Sequence, residues 1–178
     1  MTLRPASPVA PKGDLKMNAP VLAIAGVDRW VKLLIQAHLP LGVVIPVIPG
    51  FFNLTHLENP GAAFGLFANL PPEVRLPFLI GVSVAALGFF LYLHCQVEWR
   101  ASLPRLGLAF IGGGALGNLY ERAFVGVVVD YLDVFVGRYH WPAFNVADAA
   151  ITVGTGLLVL STLRAPWKHR EAPTDTLR

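Results

Sequence analysis

The segment from Leu76 to Val97 has no formally charged side chain over its 22 residues. A helix of that length is about 33 Å long, enough to cross the ~30 Å hydrocarbon core of a bilayer. Charged residues make up only 14% of the 178-residue chain, against about 25% in a soluble domain. Because lipid solvates apolar side chains, the sequence predicts an integral membrane protein with one compact domain.

Three further apolar runs are predicted to form membrane-spanning helices. They cover about residues 19–39, 106–120 and 149–163. The first ends before Pro40, which does not continue a helix, and it is interrupted by Asp28, Arg29 and Lys32. The predicted fold is therefore an all-α membrane protein with four transmembrane helices.

The segment between the first two helices has a different character. Residues 41–57 are apolar but contain Pro46, Pro49 and Gly50, a combination that does not form a spanning helix. Their β-branched and aromatic residues are typical of short strands. We therefore expect a small β-structured element at the membrane surface.

Positive charges predict the side of the membrane on which each segment lies. Lys and Arg are frequent in both terminal tails and in the loop at 98–105, but sparse in the segments 40–75 and 121–143. Because positive charge marks the cytoplasmic side, both termini are predicted inside and both long segments outside. The expected organisation is a disordered cytoplasmic tail at 1–18, a four-helix domain at 19–166 and a cytoplasmic tail at 167–178.

The N-terminal region is also compatible with a cleavable signal peptide. A basic start precedes the uncharged residues 17–27, which include the small-residue sequence Ala23-Ile24-Ala25. That pattern is typical of secretory leaders. From the residues alone, both interpretations stay open.

Two aspartates are the candidates for catalysis. Asp130 follows the third helix and Asp148 begins the fourth, so the predicted topology brings both to the outer membrane face. Two carboxylates in a low-dielectric site share one proton, because both cannot easily ionise. The ionised carboxylate can take a proton from water while the protonated one donates to a carbonyl oxygen. If Asn145 caps the fourth helix, the helix dipole favours the charged form of Asp148, and Asp130 holds the proton.

Other interpretations of these aspartates stay open. Asp130 is also compatible with a solvated loop position, and Asp148 with a simple helix cap. Asp133 competes with Asp130 for the first role. The two-residue period of a strand would place Asp130 and Asp133 on opposite faces, so only one of them is expected to face the site.

Polar residues near the aspartates are candidate supporting groups. Asn59, Asn118 and Asn145 carry amides that can orient peptide carbonyls and carboxylates. Arg122, at the end of the third helix, is either an interface anchor or a carboxylate partner. The glycine-rich third helix predicts close helix packing, which would bring Asn118 and Arg122 near the fourth helix.

Several other classes of function lack support. The chain has no basic block with interleaved aromatic residues, so no nucleic-acid partner is expected. The sequence contains no zinc-binding motif, because it has one cysteine and five widely separated histidines. No serine lies in a nucleophile-elbow sequence. We therefore expect neither a metal ion nor an organic cofactor.

Five short motifs occur in order between the predicted helices. They are Asp28-Arg29-Trp30-Val31-Lys32, Phe52–Thr55 leading to Asn59–Gly65, Gly113–Arg122, Val128–Tyr131 and Phe144–Asp148. Together they resemble the motifs of the lipoprotein signal peptidase family, the type II signal peptidases. The resemblance extends from about residue 28 to 164. Any one of these motifs alone would be weak, whereas the ordered set is specific.

The resemblance implies an aspartic endopeptidase with Asp130 and Asp148 as the catalytic pair. The residues that would bind substrate or support the site are Asp28, Asn59, Gly61, Asn118, Arg122 and Asn145. The implied substrate is a diacylglyceryl-modified prolipoprotein, cut just before its lipidated cysteine. The implied protein is a multi-pass monomer in lipid of the bacterial inner membrane, with its active site near the outer face.

The resemblance also refines the expected fold. Residues 41–57 would correspond to a small extracytoplasmic β-structured cradle, and the region of residues 58–67 to a short surface helix over the site. A first transmembrane helix is favoured over a signal peptide. This chain departs from the family at Glu121, where an aspartate usually precedes the arginine of the third motif. The charge is kept, but the side chain is one methylene longer.

Two other functions compete with peptidase activity. In a small transporter or channel, Asp28, Asp130 and Asp148 would form an ion or proton relay, which requires a polar path through the bilayer midplane. In an assembly factor, the glycine-rich third helix would bind partners. An assembly factor would keep its function when either Asp130 or Asp148 is replaced by asparagine.

Overall fold

The computed structural model describes residues 15–62, 65–96 and 102–164. The elements, in chain order, are α1 (Leu15–His38), β1 (Val44–Ile48), β2 (Phe52–Asn59), α2 (Pro72–Gln96), α3 (Ser102–Phe124), β3 (Val128–Val136), β4 (Tyr139–His140) and α4 (Val146–Arg164). The prediction of a mostly helical protein with a small sheet is confirmed. Helix α1 begins at Leu15, within the predicted tail, and ends at His38, before Pro40. The predicted C-terminal tail and most of the N-terminal one lie outside the described residues.

Among the described residues, two helices are long and apolar enough to cross a membrane. These are Pro72–His94 within α2 and Val146–Arg164, which is α4. Helices α1 and α3 are less apolar because each carries several ionisable residues. The arrangement with four membrane spans therefore remains a prediction.

Helix α3 packs against α1, α2 and α4. A Cβ added to Gly154 would lie 2.5 Å from the carbonyl oxygen of Gly107, so the α3 and α4 backbones approach closely there. A Cβ added to Gly117 would lie 2.7 Å from Oδ2 of Asp28. Glycine at this position leaves room on α3 for a carboxylate that belongs to α1.

The four strands form one antiparallel sheet in the order β1-β2-β3-β4. In the β2–β3 pairing, Leu57 lies opposite Asp130 and Asn59 opposite Val128. This register places the Asn59 side chain at the end of β2 beside Asp130. A core of Ile35, Leu39, Val129 and Tyr131 joins the end of α1 to β3, so the sheet is anchored on the helices through the strand that carries Asp130.

The predicted surface helix falls partly on residues 63 and 64, which lie outside the described residues. Gly65 belongs to a 3₁₀ turn and residues 66–69 form turns, with Ala68 N–H donating to the Gly65 carbonyl and Leu70 N–H to the Phe67 carbonyl. Phe67 adopts a φ of 66°, in the left-handed region that interrupts a regular helix. The described part of this segment is therefore a short stretch of 3₁₀ helix and turns, and the surface helix stays a prediction.

Candidate active site

Asn145 and Asp148 form a reciprocal hydrogen-bonded pair at the start of α4. Asp148 N–H donates to Asn145 Oδ1 at 2.9 Å, and Asn145 N–H donates to Asp148 Oδ2 at 3.3 Å. This is a capping box, in which residues at the N-cap and N3 positions satisfy each other's backbone donors. It places the Asp148 carboxylate in the first helical turn, where the helix dipole favours negative charge.

The same Asn145 side chain reaches Asp130. Because its oxygen is turned toward Asp148 N–H, its Nδ2 faces the other way and donates to Asp130 Oδ1 at 2.7 Å. A weaker contact runs from Nδ2 to the Val129 carbonyl oxygen at 3.3 Å. Asn145 is fully buried, so water does not compete for these bonds. One amide thus connects the two aspartates that the sequence predicts to be catalytic.

The second oxygen of Asp130 is bound from β2. Asn59 Nδ2 donates to Asp130 Oδ2 at 3.1 Å, while Asn59 Oδ1 accepts Gly61 N–H at 2.9 Å. That second bond closes an Asx turn, which fixes the orientation of the amide. A side chain at Gly61 would collide with the Leu66 carbonyl. Gly61 therefore allows the tight turn that presents Asn59 to Asp130.

The remaining contacts of Asp148 come from α3. Asn118 Nδ2 donates to Asp148 Oδ1 at 2.8 Å, and Asn118 Oδ1 accepts a hydrogen bond from Lys32 at 3.0 Å. Arg122 donates to the carbonyl oxygens of Asn118 and Gly61, each at 3.4 Å. Its guanidinium therefore connects α3 to the turn after β2.

Both aspartates line one cavity of about 630 Å³. Asn59, Asn118 and Arg122 line the same cavity. Most of the apolar part of its wall comes from α2, from α4 and from residues 141–144 before α4. This volume is typical of a ligand-binding site, with few polar groups among many apolar ones.

The electrostatics of the site favour a proton on Asp130. Burial, and then the negative charge of Asp148, raise the pKa of Asp130 from 3.8 to about 6, although the amides of Asn59 and Asn145 oppose the shift. Asp148 lies in the first turn of α4, where the helix dipole stabilises the charged form of its carboxyl group. The arrangement supplies one carboxyl suited to donate a proton and one suited to accept one.

This raised pKa predicts how the Asp130→Asn variant changes stability with pH. The unfolded carboxyl titrates near 3.8 and the folded one near 6, so the stability that Asp130 contributes is fully present below 3.8 and is lost as pH rises through 6. The change is on the order of 3 kcal/mol. The melting temperature of the variant minus that of wild type should therefore increase between pH 4 and pH 8. A difference that is constant, or that moves the other way, would contradict the raised pKa.

The other predicted residues have distinct positions. Asp28 lies behind the cavity wall, where its Oδ1 accepts the backbone N–H of Ala147 at 2.8 Å. Asp133 lies away from the cavity, accepting from Asn53 at 2.8 Å and contacting His140 at 2.7 Å. The strand alternation thus separates Asp133 from Asp130.

Three charged residues behind the site belong to the sequence motifs but were not predicted to support the aspartates. Lys32, Glu121 and Arg29 form ion pairs beneath the aspartates. A signal was present for α1, because Arg29 and Lys32 interrupt an apolar run and such residues are functional candidates. Nothing in the sequence identified Glu121 as their partner.

Comparisons with known proteins give one consistent result. The family model described as signal peptidase (SPase) II matches residues 20–164. A lipoprotein signal peptidase of Desulforapulum autotrophicum is 49% identical over 76% of this chain and 84% of its own length. One from Geobacter sulfurreducens is 46% identical over 88% and 95%.

Solved structures agree with the sequence relatives. A bacterial membrane enzyme solved at 2.3 Å has a TM-score of 0.77 and 25% identity, covering 88% of this chain and 93% of its own. Another, solved at 1.9 Å, has a TM-score of 0.73 and 26% identity, covering 84% and 94%.

Proposed function

Because the chain belongs to the signal peptidase II family and is a membrane-embedded bacterial protease, we propose that it is an aspartic endopeptidase acting on diacylglyceryl-modified prolipoproteins. The family resemblance predicted from five motifs is confirmed, and removal of signal peptides from prolipoproteins follows from it. The aspartic mechanism and the bond that is cut belong to the proposal.

The observation that carries the mechanism is the connection of both aspartates through Asn145 on the wall of one cavity. Ionised Asp148 takes a proton from a water molecule, whose oxygen attacks the scissile carbonyl carbon. Protonated Asp130 donates its proton to the carbonyl oxygen. Transfer of a proton from Asp148 to the leaving nitrogen then breaks the C–N bond, and Asp130 recovers its proton from the collapsing intermediate.

The cavity supports a substrate that is partly peptide and partly lipid. The Asn118 amide lies beside Asp148, donates one N–H to it and can bind a peptide carbonyl group with the other. The apolar walls from α2 and α4 can pack against a signal peptide helix and acyl chains. Cleavage just before the lipidated cysteine would place the acyl chains beside these walls.

The proposed setting is the bacterial inner membrane, crossed four times by a monomer. Both termini would be cytoplasmic, and the active site would lie near the outer face. The distribution of Lys and Arg along the chain supports this orientation. The sheet, which carries Asp130, and the start of α4, which carries Asp148, would then lie together on the outer side, where water is available for hydrolysis.

The test is cleavage of a purified prolipoprotein by the purified protein in detergent. Products would be identified by mass spectrometry, with a matched control substrate that has the same sequence but an unmodified cysteine. We expect cleavage of the lipidated substrate only, leaving the modified cysteine as the new N-terminus. No cleavage, or equal cleavage of both substrates at another bond, would contradict the proposal.

A further inference from the structure

Four charged residues of α1 and α3 form a charge cluster beneath the two aspartates. The cluster consists of Asp28, Arg29, Lys32 and Glu121. Lys32 Nζ lies 2.8 Å from Asp28 Oδ2 and 3.2 Å from Glu121 Oε2, and Arg29 lies 2.8 Å from Glu121 Oε1. Asp28, Lys32 and Glu121 are fully buried. Burying charges is costly, and apolar side chains hold helices together as well or better, so the cluster calls for a role beyond packing.

Each carboxylate of the charge cluster also binds the backbone directly before an active-site aspartate. Asp28 Oδ1 accepts the N–H of Ala147 at 2.8 Å, and the next residue is Asp148. Glu121 Oε2 accepts the N–H of Val129 at 2.9 Å, and the next residue is Asp130. The cluster therefore holds the chain at both catalytic positions from outside the cavity.

A third contact passes through a side chain. Lys32 Nζ donates to Asn118 Oδ1 at 3.0 Å, which turns the amide so that its Nδ2 faces Asp148 Oδ1 at 2.8 Å. Without this cation the Asn118 amide could turn over and present its oxygen to the carboxylate. A charge-assisted bond to Lys32 is a strong way to fix such an orientation.

We infer that the charge cluster positions both aspartates for hydrolysis, with Asp28, Lys32 and Glu121 as positioning residues. None of the three lines the cavity, so they act through the backbone and through Asn118. The inference rests on the proposed peptidase function. It predicts that disturbing the cluster lowers the rate of the chemical step more than substrate binding, because small misplacements of catalytic groups cost rate.

Glu121 offers a pair of informative substitutions. Glu121→Gln keeps the length of the side chain and removes its charge, whereas Glu121→Asp keeps the charge and shortens the reach. Glu73→Gln is the matched control, because Glu73 is exposed at the start of α2. We expect kcat to fall by about ten- to a hundredfold in Glu121→Gln, with KM within about twofold, an intermediate kcat in Glu121→Asp, and no change in the control.

A double variant separates positioning from stability. Lys32→Met with Asp28→Asn removes the buried ion pair as a unit and leaves Glu121 paired with Arg29, so the melting temperature should recover relative to Lys32→Met alone. The contact between Lys32 and Asn118 is still lost, so kcat should stay low. A structural role alone would restore kcat together with stability.

The experiment measures kcat, KM and melting temperature on the full-length protein in detergent with a lipidated prolipoprotein. Low kcat in both Glu121→Gln and the stable double variant supports the inference. Wild-type kcat in the double variant, or a loss confined to KM, overturns the positioning role while leaving the proposed function intact. A wild-type protein that cleaves nothing overturns the proposed function, and the positioning role with it.

Discussion

Replacing either Asp130 or Asp148 by asparagine is expected to reduce cleavage of a lipidated prolipoprotein by at least about a thousandfold while the protein stays folded. Asparagine has nearly the same shape as aspartate but neither takes a proton from water nor donates an acidic one. Each variant therefore lacks one half of the acid–base pair. The measurement is kcat in detergent, with thermal unfolding of the same preparations as the test of folding.

Asp133→Asn is the matched control for these two variants. Asp133 lies on the same strand as Asp130 but contacts Asn53 and His140 away from the cavity. This variant should cleave at close to the wild-type rate. Cleavage at the wild-type rate by Asp130→Asn or Asp148→Asn would refute the aspartic mechanism. It would instead favour a different catalytic mechanism or a role as an assembly factor.

Substitution of Asn145 is expected to have the next largest effect, because this residue serves both aspartates. Asn145→Ala removes the donor to Asp130 Oδ1 and the cap of α4. Asn145→Ser removes the donor but keeps a side chain that caps helices well. Both variants should lose about a hundredfold in kcat, as for other deletions of a preorganised donor in an active site.

The two Asn145 variants should differ in stability. Loss of an N-cap costs about 1 kcal/mol, so Asn145→Ala should melt at a lower temperature than Asn145→Ser. Asn69→Ser, at an exposed position in the turns before α2, is the control for the loss of an amide. Near-normal kcat in Asn145→Ser would show that the bond to Asp130 is dispensable and that Asn145 is a cap only.

The helices and their ends follow from local features of the sequence. The apolar segment from Leu76 to Val97 predicted α2, which extends from Pro72 to Gln96. Pro40 predicted the end of α1. Asn145 was considered as a cap of the fourth helix, and in the structure it caps the start of α4. The length of an apolar run, a proline and a capping residue each act on nearby residues. The feature that determines a helix therefore lies in the sequence next to the helix that it determines.

The surroundings of the aspartates were predictable only in part. Asn59, Asn118 and Asn145 were recognised as amides that could orient the site, and all three donate to an aspartate. The sequence did not predict which amide binds which oxygen. That assignment depends on the β2–β3 register and on the rotation of α3 against α4, which arise from packing.

The sequence by itself determined where the chain is apolar enough for helices, where those helices end, and which two aspartates are candidates for chemistry. Only the tertiary structure decided which charges pair beneath them. Arg29 meets Glu121 across 92 positions and Lys32 meets Asn118 across 86. A buried ionisable group needs a partner of opposite charge or a hydrogen bond. The choice among distant partners is made by helix packing, because the glycines of α3 let α1 and α4 approach closely enough for these side chains to touch.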